Sequence, residues 1–309
     1  MNSRRDFLKK SGLMSLAGLS LPSFLADAAA GHAVGKHAIG VQLYTTMSVI
    51  DKDVEGTLKA IANIGYKEIE SAFSMKGGYY GMKPKEFASL LKDLGLTWAA
   101  HHATGAPRKP RPQTDTAAAA QQAPRPAMPP MKNLQQNYQE IIDDLAEGGV
   151  KYLVCASTPV STLDEVKTSI DTFGKAGEAC KKAGLQLVFH NHTAEFEKVE
   201  GQLPYEMFIS QLSSDILKFE LDLAWAMKAG VDVVALFKKN PGRFPMWHVK
   251  DLDKTTMKPV EIGNGFIDFT PIFAAAKTAG VKHYFVEQDG ATTPIESLTT
   301  SFNNLRNKI

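Results

Sequence analysis

Eight short apolar runs recur along the chain, and their spacing limits the fold more than any other feature. They begin near residues 39, 66, 97, 152, 186, 218, 244 and 282, mostly about thirty residues apart. Runs this short, flanked by turn residues, read as strands buried on both faces. Those expected are Ile39–Tyr44, Tyr66–Ala72, Leu96–His102, Tyr152–Ala156, Gln186–Phe189, Lys218–Leu223, Phe244–Lys250 and Lys282–Glu287. Segments of helical period follow them: Asp53–Ile64, Pro84–Leu94, Leu134–Glu147, Leu163–Ala183, Pro204–Gln211, Val231–Lys239, Pro271–Ala279 and Ile295–Asn307. Asp53 suits an N-cap, Pro84 a first helical position, and Gly65 and Gly95 the exits. Eight βα units of this size predict an α/β fold, a (β/α)8 TIM barrel. A doubly wound open sheet would carry G-x-G-x-x-G after its first strand, and the chain has none there.

The one long gap, from 97 to 152, holds Gly105–Met131, rich in Pro, Ala and Gln and including Ala117–Ala120. It has neither strand nor helix period and reads as a disordered, low-complexity insertion after the third strand. Its place puts it at the face where such barrels build sites, as an inert loop, a lid or a partner contact.

Ahead of the barrel domain (37–309) lies a leader of about residues 1–30. Ser3-Arg4-Arg5-Asp6-Phe7-Leu8-Lys9 is a twin-arginine pattern, Gly12–Leu25 is apolar, and Ala26-Asp27-Ala28 offers a cleavage site. The apolar part is too short for a stable span, so periplasmic export without a lasting membrane anchor is expected. The formal net charge of +2 implies no nucleic-acid partner. Cys155 and Cys180 have no metal-ligand spacing and read as buried thiols, with a disulfide as the alternative.

Four late strands deliver His, Asp or Glu where they leave the sheet: L-V-F-H-N-H-T-A-E-F (Leu187–Phe196), F-E-L-D-L-A-W (Phe219–Trp225), P-M-W-H-V-K-D (Pro245–Asp251) and Y-F-V-E-Q-D (Tyr284–Asp289). Convergence of such residues at the carboxyl ends of parallel strands points to a metal site. Gly263-Asn264-Gly265 offers backbone N–H groups to an anion, but no Arg or Lys cluster accompanies it.

These segments, with V-Q-L-Y-T (Val41–Thr45) and G-N-G-x-I-D-F (Gly263–Phe269), resemble the xylose-isomerase-like sugar isomerase/epimerase superfamily. Its members include tagatose epimerases, hydroxypyruvate isomerase and inosose dehydratase. The resemblance implies one divalent ion held by Asp222, His248, Glu287 and a fourth group. Many relatives read Glu-Asn-His where this chain reads His190-Asn191-His192. His190 therefore takes the fourth position, with Glu195 or His192 as alternatives. Two carboxylates and two histidines suit Mn, Co, Fe, Ni or Zn.

The resemblance also implies proton abstraction beside a sugar carbonyl, on a non-phosphorylated sugar. Glu287, Glu195 and Lys250 are the candidate proton-moving groups, Lys250 as a base of lowered pKa or as an ion pair with Asp251, and His102 is a candidate at the substrate. Gln42, Tyr44, Glu70, His192 and Trp225 are the expected substrate contacts, and Trp247 and Tyr79-Tyr80 are further stacking candidates. Isomerisation or epimerisation leads, a lyase or hydratase acting on 3-keto-glycosides follows, and a non-catalytic sugar-binding barrel is the alternative outside catalysis. The partner expected is a small carbohydrate, and a homo-oligomer is compatible with the barrel.

Overall fold

The computed structural model describes residues 37–107 and 131–309, within the compact unit Lys36–Ile309. The leader and most of the Pro/Ala tract lie outside the described residues. Eight parallel strands close on themselves: β1 (Ile39–Gln42), β2 (Glu68–Ser71), β3 (Thr97–Thr104), β4 (Tyr152–Ser157), β5 (Gln186–His190), β6 (Lys218–Asp222), β7 (Met246–Val249) and β8 (His283–Val286). Each pairs with its neighbours in sequence, and β8 returns to β1. This is the expected TIM barrel. Around it run α1 (Val54–Ile64), α2 (Pro84–Asp93), α3 (Leu134–Glu147), α4 (Leu163–Ala183), α5 (Pro204–Gln211), α6 (Leu223–Lys228), α7 (Val233–Lys239), α8 (Thr270–Ala274), α9 (Ala276–Ala279) and α10 (Pro294–Leu305).

Local chemistry sets these boundaries. The Asp53 carboxylate accepts the Gly56 N–H at 2.9 Å and opens α1, and Pro84 opens α2 as its first residue. Gly184, at φ 77°, ends α4 in the left-handed conformation. Three expectations differ in detail. β1 stops at Gln42 because the Gln42 side chain accepts the Tyr44 N–H, turning Leu43–Thr46 into a 3-10 turn. The helix expected over 271–279 is two short helices, broken at Ala275. A further short helix, α6, starts directly from the end of β6.

Because strand side chains alternate, residues two apart on each strand stack into layers inside the barrel. The lowest is apolar: Ala100, Val154, Val188, Met246 and Phe285. Gly40 belongs here, since a Cβ on it would collide with the Phe285 ring. Two residues further along the strands the interior turns polar, with Gln42, Glu70, His190, Glu220 and His248 all buried. Outside the barrel, helix faces supply a second apolar shell, and both cysteines lie in it as free buried thiols.

Several aromatic residues belong to that shell. Trp247 is fully buried and stacks on Phe237 at 5.0 Å. Tyr79 packs edge-on against Trp98, and the Tyr80 hydroxyl accepts the Ala72 N–H.

The G-N-G motif also has an internal use. Asp251 is buried, points away from Lys250's partners, and accepts the N–H groups of Leu252, Gly263, Gly265 and Ile267. The anion that this loop binds is the protein's own carboxylate, and a side chain at Gly265 would strike it. Asp251→Ala leaves these donors without their acceptor and is expected to cost about 2–3 kcal/mol in urea unfolding, with metal content unchanged.

Candidate metal centre

The centre starts with Asn191. Its side-chain oxygen accepts the Asp222 N–H at 3.0 Å, and its amide reaches the Asp222 carbonyl at 3.3 Å. The end of β5 is thus tied to the end of β6. Asp222 divides its carboxylate between two tasks. Oδ1 accepts the Trp225 N–H at 2.8 Å and caps α6. Oδ2 has no hydrogen-bond partner of proper geometry among the described residues, although it is buried. It lies 3.0 Å from Lys250 Nζ and 4.0 Å from His248 Nδ1.

One atom from each of His190, Asp222, His248 and Glu287 falls within 4.8 Å of the others, and all four residues are buried. The residues fit a divalent ion on two grounds: a buried carboxylate oxygen without a hydrogen bond, ion-paired with Lys250, and a mixed nitrogen and oxygen donor set suited to first-row transition metals. His248 Nδ1 stands 2.8 Å from Glu287 on this side of its ring.

On the other side of the ring is a floor of carboxylates. His248 Nε2 lies 2.6 Å from Glu70 and 3.1 Å from Glu220. His190 Nδ1 lies 3.1 Å from Glu220, which leaves His190 Nε2 for an ion. His102 Nε2 meets Glu220 at 2.9 Å and Glu70 at 3.2 Å. Gln42 donates to Glu70 at 2.8 Å. These carboxylates fix the rings of both histidine ligands, as partners behind metal-binding imidazoles do. His102, His190, Glu220 and His248 also form a second cluster with metal-ligand spacing, one layer down.

The charges follow from this packing. Burial opposes a charge on His102, but Glu70 and Glu220 outweigh it and raise its pKa to about 9. Burial likewise disfavours the Glu220 carboxylate, yet His248 and His102 hold it at about 2. Asp222 is raised to about 6, burial prevailing over Lys250 and His248. His190 is depressed, by burial and then by the neighbouring histidines. Burial also works against the Lys250 ammonium, but Asp222, Glu287 and Asp289 keep it charged well above the usual range. The same ammonium lies 4.9 Å from the Trp225 ring centre.

An open cleft of about 200 Å³ reaches the centre from solvent, lined by Tyr44, His102, His190, His192, Glu287 and Asp289 among others. The structure therefore brings Tyr44, His102, His192 and Glu287 to one cleft beside the ion-binding residues. It places others differently from expectation. Gln42 and Glu70 are 0% exposed and lie beneath the ligands, out of reach of sugar hydroxyls. Trp225 backs Lys250 and does not line the cleft. Lys250 is a held cation, not a base of lowered pKa. Glu195 is buried outside the ligand cluster, where its carboxylate accepts the His192 N–H at 2.8 Å and shapes the loop after β5. Sequence reasoning missed Glu220 and Asp289. Both sit two residues from a chosen ligand, Asp222 and Glu287, and so on the same face of the chain; that spacing was the available signal.

A closed parallel barrel with convergent ligands at its carboxyl end defines a class of metal-site TIM barrels. The profile of the xylose isomerase-like TIM barrel family matches residues 58–300. The chain belongs to that family. A sugar phosphate isomerase/epimerase structure from Parabacteroides distasonis superposes with a TM-score of 0.71 at 25% identity, covering 93% of this chain and 98% of that one. An IOLI protein with a bound zinc atom shares the fold, with a TM-score of 0.66 at 15% identity, covering 88% of this chain and 99% of that one. An inosose dehydratase from Clostridium perfringens is 26% identical over 154 residues, 43% of this chain. The matched region spans about half, 51%, of that relative.

Glu220→Gln is expected to weaken metal binding about 10–100-fold, read by titration of the metal-free chain with Co(II). Affinity should also fall as pH drops, first at higher pH because His248, its pKa lowered by burial but raised further by Glu220, Glu287 and Glu70, must release a proton to bind, and again through about 6 because a protonated Asp222 must do so.

Proposed function

We propose that the chain is a divalent-metal-dependent enzyme that moves a proton beside the carbonyl of a non-phosphorylated keto-sugar. The observation that carries this reading is the convergence of His190, Asp222, His248 and Glu287 at the mouth of the barrel, next to an open cleft. An ion bound there would polarise the sugar carbonyl and ease loss of the neighbouring C–H proton. Glu287 is the one ligand carboxylate that lines the cleft, and it is the group placed to take that proton. His192, kept neutral mainly by burial, lines the same cleft and is a second proton carrier. Lys250 holds Asp222 and Glu287 ionised. No Arg or Lys is among the described residues lining this cleft, while Glu287 and Asp289 are, which favours a neutral sugar over a phosphorylated one.

Return of the proton to another face or carbon gives epimerisation or isomerisation. A second reading, elimination, is favoured by one feature: His190 stands where many relatives carry a carboxylate. With one ligand carboxylate fewer there are fewer bases to exchange protons on two faces, and the same carbanion can instead expel a β-substituent. The partial likeness to an inosose dehydratase supports it. Export to the periplasm, proposed from the twin-arginine pattern, would suit a substrate taken from outside the cell.

The test uses the metal-loaded chain in deuterated water with free ketoses and with 3-keto-glycosides. Deuterium gained at a sugar carbon without cleavage supports isomerisation or epimerisation, and release of the aglycone supports elimination. Absence of both with every substrate would refute the reading. Chelation is expected to abolish turnover and Mn or Co to restore it, with Asp222→Ala lowering activity by about 100-fold or more. His190→Glu is expected to raise deuterium exchange relative to cleavage, as measured by mass spectrometry of the recovered sugar.

A further inference from the structure

The metal-side cleft continues past His102. A second cleft opens beyond it, sharing Phe73, His102, Ala103 and Met131 with the first. It runs between the loop after β2 and the helix α3, and His101 lines it. His101 lies in β3, next to His102.

The Trp98 indole N–H can only donate, and it gives its proton to Ser71 Oγ at 2.8 Å. Ser71 has one proton of its own. Its hydroxyl lies 2.8 Å from His101 Nδ1 and 3.4 Å from the Ala100 carbonyl. A hydroxyl oxygen can accept from Nδ1–H while donating to the carbonyl, or donate to Nδ1 instead, and in either case the contact ties the ring to Ser71. Tyr79 and Trp98 pack edge-on against the ring, with centroids at 5.1 and 6.5 Å. The ring is therefore held in place through Nδ1, with Nε2 on its far edge. Among the described residues no hydrogen-bond acceptor meets Nε2, and the residue lines the cleft while only half-buried.

Across the same cleft Asp144 accepts from Lys132 at 3.0 Å, and the Tyr79 hydroxyl approaches it at 3.5 Å. Phe73 and Ile141 add apolar wall. A fixed imidazole edge, a carboxylate with its ammonium, and apolar carbon suit a ring with hydroxyls on its edge and C–H groups on its face.

We propose that this second cleft is a binding subsite for a second sugar ring, carried by His101 and Asp144, so that the substrate is a disaccharide or larger glycoside. The inference rests on the sugar chemistry proposed for the metal centre and adds where the rest of the substrate lies. Binding separates the two, since it needs no turnover.

The experiment is calorimetric titration of the metal-loaded chain with glucose, a β-linked glucose disaccharide and phenyl glucoside. The disaccharide is expected to bind roughly tenfold tighter than glucose, the scale of a well-made hydrogen bond. His101→Phe, which keeps an aromatic ring beside Tyr79 and Trp98, and Asp144→Asn, near the surface, should each erase that advantage and leave glucose affinity unchanged. Equal affinity for disaccharide and glucose, undetectable binding of both included, overturns the proposal. So does an advantage that survives both substitutions, or a phenyl glucoside that matches the disaccharide and ignores them. A chain that shows the expected pattern but exchanges no deuterium refutes the chemistry and keeps the subsite.

Discussion

Glu70 and Glu220 are carboxylates with no access to water, and the upper half of the barrel gathers cations and donors on one oxygen of each, Oε2, while Oε1 has no hydrogen-bond partner among the described residues. A buried carboxylate is costly unless cations or donors surround it. Here the donors are three histidines from three strands and one glutamine from a fourth. The histidines that meet this demand are then held with one ring edge committed below and the other turned to the mouth. Ligand geometry at the centre is in this sense a by-product of burying charge one layer deeper. The pair is not a fold requirement of a barrel, yet it determines how His190 and His248 are aimed, and Glu220 itself belongs to the deeper of the two clusters with metal-ligand spacing.

The same economy recurs in single residues. Asp222 starts a helix with one oxygen and faces the centre with the other. Asn191 contributes no ligand, yet it locks the backbone on which Asp222 sits. Asp251 gathers four N–H groups and turns the loop after β7 into a fixed wall. The centre is therefore placed by strand ends whose loops are themselves held by hydrogen bonds, which is how a short sequence motif can carry both a ligand and its support.

The period of the strands was legible from sequence because parallel barrel strands are apolar on both faces and end abruptly in polar residues. The convergence of strand-end His, Asp and Glu residues was legible for the same reason, and the resemblance singled out His190, Asp222, His248 and Glu287 among them. What escaped was depth. Gln42 and Glu70 end early strands just as His248 ends a late one, and nothing local tells a residue at the mouth from one a layer below it. That difference depends on strand stagger, which is a property of the closed sheet. Glu195 misled because its neighbour's backbone N–H, rather than the centre, is what its carboxylate reaches. Trp247 and Tyr80 misled because aromatic residues pack outside the barrel as readily as they line its mouth.

Lys250 carries a consequence for which ions the protein retains. Its ammonium already neutralises Asp222 and Glu287, with Trp225 behind it. An arriving cation must compete with an internal one that is tethered and never diffuses away. Ions that rely on oxygen alone, such as magnesium or calcium, gain little from the two imidazoles and must win entirely at the carboxylates the lysine already occupies. Ions with affinity for nitrogen gain a second foothold beyond the lysine's reach. For any ion taken up there, the lysine would thus act as a built-in competitor that sets a threshold of softness, sorting ions by chemistry where abundance would otherwise decide.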